Sequence, residues 1–470
     1  MGFGQLHSVK TLFVTLHNTF AVRNLLRSRA LESVKAAGVR VVCLVLAEKI
    51  DYYAREFPDY IFEPLPIEVR NWWLDKFFQT LTMQGLHSRT GQIQSWGRMF
   101  RQDAKFLHYI RSIAPFLFER LVWNLGRFRW WRPFVRVLYR HIPSRVYTEL
   151  FEKYQPDLVF ATNLINAEDY RLLLEAKRKN IQTVGMVLSW DNLTSKTFLQ
   201  VFPDNLIVHN NVVKNEAVSL AGYPAERIIV TGVPQYDPYF QRQNLLSRDE
   251  FCAQIDADPA KKIILYAASG KASTLFDLDI VEGLAKAIDS ERLPRETQIL
   301  VRPYPRYDFP PAKIEELRQR AKILIASPVT HAGWKKDDWE FGNEDLIFLI
   351  NSLAHADVVI TLSSTFLIEG SIFDKPTISA AITGNQKLNY WYQAERMLEF
   401  EHLQALKDFG AFATARNFDQ LFDLVNEALT NPAKNHLERQ KLIARQCVYI
   451  DGQSAERLGK LLVRYVWSKS

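Results

Sequence analysis

The chain has 470 residues, of which 47% are hydrophobic and 24% charged, and a formal net charge of +7. That length exceeds one ordinary core, and that balance excludes a disordered or fibrous chain, so two or three globular domains are expected. Three widely separated cysteines, Cys43, Cys252 and Cys447, exclude a disulfide framework and a zinc spacing, and they fit a reducing cytoplasm.

No run reaches the roughly 18 apolar residues of a spanning helix, and the first residues carry no secretory pattern. Residues 10–16 (KTLFVTL) read as a buried strand, with His17-Asn18-Thr19 in the loop at its C-terminal end. Residues 23–37 place Leu25, Leu26, Leu31 and Val34 on one side of a predicted helix, Gly38 stops it, and residues 39–46 (VRVVCLVL) form a second strand. This β-α-β opening predicts a parallel, doubly wound sheet. No GxGxxG follows the first strand, so the dinucleotide fingerprint is absent.

Residues 66–154 read as a long helical insertion rich in Trp, Phe and Arg. Between Pro66 and Tyr147 stand fourteen Arg and Lys against four Asp and Glu, and this segment accounts for the net positive charge. Its densest part carries Trp123, Arg127, Arg129, Trp130, Trp131 and Arg132. Such interleaving suits an anionic membrane surface or a wall around an acceptor. It also suits an ordinary insertion with core aromatics and snorkelling arginines. No nucleic-acid module accompanies it, so nucleic acid is not an expected partner.

Strand signals resume at residues 157–161, 183–188, 205–209 and 227–231, with helices over 167–179 and 214–220 between them. The second of these strands delivers Ser189-Trp190-Asp191-Asn192 to the sheet edge, where catalytic groups collect in open α/β folds. Asp191 there is a candidate base for an acceptor hydroxyl if partial burial raises its pKa; an Asx turn or N-cap role fits equally. His17, at the tip of the first strand, is the alternative base with an intrinsic pKa nearer neutrality, and a packed structural histidine would look the same.

At residues 262–268 (KIILYAA) the β-α-β rhythm restarts, which sets the domain boundary near 235–260. The expected division is 1–240 with the insertion, 255–450, and a closing helix over 451–470 packing back on the first domain. Two doubly wound Rossmann-like domains predict a cleft with a donor on one side and an acceptor on the other. In the second half, Gly270-Lys271 permits close backbone approach to a diphosphate beside a cation, or is a plain strand–helix turn. Arg302 at a strand end is a phosphate clamp or a salt-bridge partner. Residues 358–362 run into Ser363, Ser364 and Thr365, then into a helix with Glu369 one turn in. Hydroxyls and N–H groups at a helix start suit a diphosphate, and Glu369 the ribose; a simple Ser N-cap is the plainer alternative. His331 and Trp334 lie in a polar loop placed to cover a nucleotide base.

Four stretches resemble GT-B type glycosyltransferases, and more narrowly bacterial surface-polysaccharide enzymes near the CDP-glycerol glycerophosphotransferases. They are RIIVTGVPQYD at 227–237, ILVRPYP at 299–305, TLSSTFLIEGSIFDKP at 361–376 and QCVYIDGQSAERLGKLL at 446–462. Their order and spacing span residues 155–466. The resemblance implies transfer of a sugar or sugar-like group from a nucleotide-activated donor to a lipid-linked or surface-glycan acceptor at the cytoplasmic membrane face. It implies no cofactor and no metal, the leaving diphosphate being met by helix dipole and cations. Two departures stand out: Asp191 and Tyr304 occupy places where the family carries His, and Tyr304 is still counted with the donor site. Non-hydrolysing UDP-N-acetylglucosamine 2-epimerases share the fold, but carry a Ser-Gly-Gly and Glu-Glu signature where this chain has Ser363-Ser364-Thr365 and Glu369. An isomerase is thus the second reading, and a nucleotide-sugar-binding subunit without a base the third.

Overall fold

The computed structural model describes residues 9–66, 73–102, 104–242, 244–270, 274–304, 309–320, 323–325, 330–331, 339–384 and 387–468. β1 (Thr11–Leu16) is buried at every position, as a strand covered on both faces must be. It pairs in parallel with β2 (Arg40–Val45), which pairs with β3 (Ile61–Pro64). On its other side lies β4 (Leu158–Ala161), followed by β5 (Gln182–Met186), β6 (Asn205–Val208) and β7 (Ile228–Val230). The seven strands are ordered β3-β2-β1-β4-β5-β6-β7.

The second sheet is built on β8 (Lys262–Ala267), β9 (Thr297–Arg302) and β10 (Ile323–Ile325). A short antiparallel pair, β11 (Thr330–His331) and β12 (Trp339–Glu340), stands apart. β13 (Val358–Thr361), β14 (Thr377–Ala380) and β15 (Ala413–Ala415) complete the parallel order β10-β9-β8-β13-β14-β15. The architecture is therefore α/β with two parallel sheets.

The chain divides into two units. The first runs to Gln92, resumes over Pro115–Asp237 and returns from Cys447; the second holds Ile93–Ala114 and Pro238–Gln446. Residues 93–114, inside the insertion, thus group with the second unit, and the closing helix Ser454–Trp467 with the first.

In the first unit the strand alternation separates two cores. Leu12, Val14 and Leu16 face a core that takes in Ala455, Leu458, Leu462 and Val466 of the closing helix. Phe13 faces the other, with Phe78, Leu81, Val122, Trp131, Val135 and Tyr139 of the insertion. Burying such Leu, Val and Phe side chains stabilises by about 1.5–3 kcal/mol each. The insertion is tied down by a buried carboxylate. Asp75 accepts from Arg171 Nε at 3.1 Å and Nη2 at 3.0 Å, and from Tyr139 Oη at 2.9 Å. Burial pushes the Asp75 carboxyl up, and Arg171 opposes that shift.

The helix expected over residues 23–37 is broken. Asn18 caps Thr19–Val22, a π-turn covers Arg23–Arg27, the chain turns through Arg29 at φ 64°, and Glu32–Ala36 resumes. Leu26 and Leu31 are five residues apart, a spacing that an unbroken α-helix cannot hold on one face. The break lets Leu25, Leu26, Leu31 and Val34 all reach the core. β3 and β15 were not anticipated.

Candidate functional site

At the carboxyl edge of the first sheet, β1 delivers His17 and the adjacent β4 delivers Thr162 and Asn163. The helix Ala167–Arg178 follows β4 and carries Asp169 in its first turn. Asp169 is fully buried and His17 is 7% exposed. His17 Nε2 lies 2.6 Å from Asp169 Oδ2, while Thr15 Oγ1 donates to Oδ1 at 2.5 Å. Thr15 is itself held by Thr162, whose N–H donates to its hydroxyl at 3.0 Å and whose hydroxyl donates to its carbonyl at 2.6 Å. Every link is buried, so the carboxylate has one position and the imidazole one orientation. A carboxylate on one ring nitrogen fixes the tautomer: with the proton on Nε2, the basic lone pair is on Nδ1. Asp169 escaped the sequence reading; the acidic pair Glu168-Asp169 opening a helix beside the His17 strand was its only signal.

Asp191 sits at the edge of the same sheet but serves its own turn. Ser189 Oγ donates to its Oδ1 at 2.7 Å, and Ser195 Oγ reaches its carbonyl at 2.7 Å and its Oδ2 at 3.4 Å. These contacts fit the turn-holding alternative. Beside it Asn192 Nδ2 donates to Asn163 Oδ1 at 3.3 Å, both residues buried.

In the second unit, the register aligns Arg302 with Ala267 and Ala267 with Thr361, so the ends of β9, β8 and β13 share one edge. Ser269 Oγ accepts from Leu362 N at 3.1 Å and Ser363 N at 3.3 Å, and lies 3.1 Å from Thr361 Oγ1. Thr361 Oγ1 in turn lies 3.0 Å from Ser364 Oγ, which accepts from Phe366 N at 3.2 Å. Thr365 Oγ1 donates to Glu369 Oε1 at 2.9 Å, with Glu369 buried in the helix Phe366–Ile372. Ser363, Ser364 and Thr365 are half-buried, and Ser363 Oγ has a soft contact, Met397 Sδ at 3.8 Å. The structure therefore brings Ser363, Ser364, Thr365 and Glu369 together and adds Ser269 and Thr361, which the sequence reading passed over.

The remaining donor candidates are placed differently. Gly270 has φ +113°, open to glycine, and a Cβ there would meet the Tyr304 ring at 3.8 Å. Tyr304 thus packs beneath the backbone of this turn. Arg302 is 4% exposed with its guanidinium 5.9 Å from the centre of the Phe341 ring, so it is a buried residue of the strand end. Lys271 and Trp334 lie outside the described residues, as does the side chain of His331.

Two of the four recognised stretches meet in the first unit. Asp237 accepts from Ser454 N at 3.0 Å and Ala455 N at 2.7 Å, holding the start of the closing helix. Gly232, at φ +87°, leaves room for Ser454 Oγ, which a Cβ would approach to 2.4 Å. These residues staple the fold.

The aromatic and basic stretch is divided between core and surface. Trp131 is 5% exposed and belongs to the core, which corrects its expected place on a surface. Arg136 is also buried, donating to the carbonyls of Leu199 at 2.9 Å, Phe198 at 2.8 Å and Ala221, and burial brings its pKa down to about 9. Trp123 is half-buried with Nε1 donating to Ser88 O at 3.0 Å, and Arg132 is half-buried too. Arg127, Arg129 and Trp130 are exposed. Among the described residues no group of three or more His, Cys, Asp or Glu could hold a metal ion.

Residues 192–464 match the family described as CDP-Glycerol:Poly(glycerophosphate) glycerophosphotransferase. Among solved structures, the chain is similar to UDP-GlcNAc 2-epimerase from Neisseria meningitidis bound to UDP-GlcNAc, at 11% identity and TM-score 0.51, covering 97% of this chain and 100% of that one. It is similar to S. aureus MnaA in a UDP co-structure, at 12% identity and TM-score 0.52, over 97% of each chain. It is also similar to a glycosyltransferase from Rickettsia africae ESF-5, at 13% identity and TM-score 0.50, over 99% of this chain and 100% of that one. These likenesses establish the fold as GT-B. No curated protein matches the chain.

Proposed function

The chain belongs to the CDP-Glycerol:Poly(glycerophosphate) glycerophosphotransferase family, and from that premise we propose that it transfers a sugar or sugar-like group from a nucleotide-activated donor. The acceptor is a hydroxyl of a lipid-linked or surface glycan at the membrane face. The observation that carries this reading is the buried Asp169–His17 pair, with 2.6 Å between Oδ2 and Nε2. His17, not Asp191, is the base: an acceptor O–H loses its proton to Nδ1 as its oxygen attacks the activated centre of the donor, and the nucleotide leaves. Asp169 stabilises the imidazolium that forms.

The hydroxyls of Ser363, Ser364 and Thr365, with Glu369 behind them, are the proposed nucleotide site. Ser363 is the readiest to turn to a phosphate oxygen, because a thioether is a weak acceptor to give up. Glu369 holds Thr365, and a ribose hydroxyl would compete for the same oxygen. The reading includes no metal requirement, so turnover should survive EDTA.

The test is a thermal-shift series with UDP, CDP, GDP, dTDP and CMP. A nucleotide at a hundredfold excess over its Kd adds about 2.7 kcal/mol of stability. One responder whose shift vanishes in Glu369→Ala names the donor class; no responder overturns the reading. Conversion of a nucleotide sugar without acceptor, lost in His17→Gln, would instead make the protein an isomerase.

A further inference from the structure

At the carboxyl edge of the first sheet an asparagine follows each of β1, β4, β5 and β6: Asn18, Asn163, Asn192 and Asn210. Two of them are spent on helix caps. Asn18 Oδ1 accepts from Ala21 N at 3.0 Å, and Asn210 Oδ1 from Val213 N at 2.9 Å. The side chains of Asn163 and Asn192 cap no helix. They are 4% and 3% exposed, and their amides meet, Asn192 Nδ2 donating to Asn163 Oδ1 at 3.3 Å. Both backbones are fixed. Asn163 O accepts from Ile165 N at 2.6 Å and Asn166 N at 3.2 Å, while Asn192 O accepts from Lys196 N at 2.9 Å and Thr197 N at 3.2 Å. The bond between the amides leaves one atom of each unused. Asn163 Nδ2 and Asn192 Oδ1 have no partner among the described residues, and neither is one of the buried polar atoms shut off from solvent. Their place is beside the base. Counting three residues on from the pairing of Val14 with Phe160 brings His17 level with Asn163, on strand ends about 4.8 Å apart.

We propose that Asn163 and Asn192 form an acceptor subsite, a clamp for two hydroxyls on neighbouring carbons of a glycan ring, and so select which hydroxyl His17 deprotonates. A hydroxyl both donates and accepts. One can give its proton to Asn192 Oδ1 while its neighbour takes a hydrogen bond from Asn163 Nδ2. Three observations select a diol. The two open atoms are of opposite kind, so an anion, which only accepts, or an ammonium, which only donates, would satisfy one and face the other unfavourably. They are carried on amides already in contact, which matches groups close together on one small molecule. Both amides are nearly buried and anchored by their own turns, so little side-chain freedom is lost when the diol arrives.

The proposal deepens the reading above, on which it rests for His17 as base and a glycan as acceptor, and it is tested by binding, without turnover. The full chain is made with nitrogen-15-labelled asparagine, and the side-chain amide signals of Asn163 and Asn192 are assigned from single variants. The probes are cis-1,2-cyclohexanediol and cis-1,4-cyclohexanediol, which have the same atoms and differ in hydroxyl spacing alone. The 1,2-diol is expected to move both signals and to bind about tenfold or more tightly than the 1,4-diol. Asn163→Asp keeps the oxygen that Asn192 Nδ2 needs but loses the open donor. Read on the Asn192 signal, it should weaken the 1,2-diol by about tenfold, with the nucleotide shift unchanged. Asn192→Ala, read on the Asn163 signal, should do the same. The comparison of the two probes on the wild type stands even where a variant fails to fold. The proposal is overturned if the 1,2-diol moves neither signal, if the two probes bind alike, or if both variants hold the 1,2-diol as the wild type does. In that last case the pair is a brace between two turns. Diol binding without any nucleotide response would count against the proposed function alone.

Discussion

Trp96 lies flat on Trp391, with ring centroids 5.4 Å apart and planes 9° from parallel. Phe100 also stacks on Trp96, at 5.4 Å. Around this stack, Tyr392 Oη donates to Gly97 O at 3.2 Å and Asn389 Nδ2 to Phe100 O at 3.0 Å. The contact is a clasp between residues 93–114 and the segment that precedes Met397. A double-mutant cycle on Trp96→Leu and Trp391→Leu should return a coupling of about 0.5–1.5 kcal/mol in urea unfolding. Additive variants would show the stack to be incidental.

Asp169→Asn should act through His17. The amide keeps the shape but loses the charge that stabilises the imidazolium. Turnover should fall by roughly 10²–10⁴, as in His17→Gln, with the nucleotide shift unchanged. In the His17→Gln background the same change should cost little more, because the two act as a unit. Independent, multiplicative losses would remove Asp169 from the mechanism.

Asp191→Asn separates the two candidate bases. Its carboxylate is occupied by Ser189 and Ser195, so the variant should lose about 1 kcal/mol of stability and keep turnover within severalfold. A loss as deep as that of His17→Gln would return the role of base to Asp191.

His209, beyond the end of β6, is 6% exposed, and its Nε2 has no hydrogen-bond partner among the described residues. Burial lowers its pKa from 6.5 to about 4. Between those values the unfolded chain takes up a proton that the folded chain refuses, so stability falls as pH drops through the window. The loss should approach roughly 3 kcal/mol at the acid end. His209→Gln should flatten urea midpoints over this range; an unchanged slope would place the acid sensitivity elsewhere.

Much of the fold was legible because central parallel strands are continuous apolar runs: the stretches at 10–16, 39–46, 262–268 and 358–362 all became strands. The edges were not. β15 is Ala-Thr-Ala and β3 ends in proline, and three or four half-buried residues leave no period to count. The helical insertion was legible as helix, yet nothing in its spacing told Trp131 and Arg136, inside, from Trp130 and Arg129, outside. At the edge of the first sheet, sequence reasoning singled out His17 as a candidate by its place after a strand. It missed Asp169 because the two are 152 residues apart, joined only by the pairing of β1 with β4. In the second unit, Ser363-Ser364-Thr365 announced itself as a cluster, whereas Ser269 and Thr361 are each a single hydroxyl in an apolar run.

The chain passes between its two units four times, at 92/93, 114/115, 237/238 and 446/447. The second unit is therefore not a segment that can be lifted out. A fragment of residues 238–446 would part Trp391 from Trp96 and uncover a ring face together with the donors and acceptors of Asn389 and Tyr392. In heredity the same holds: a recombination that exchanged only 238–446 with a relative would inherit half of the clasp. An exchange that keeps the second unit whole has to carry residues 93–114 along with 238–446.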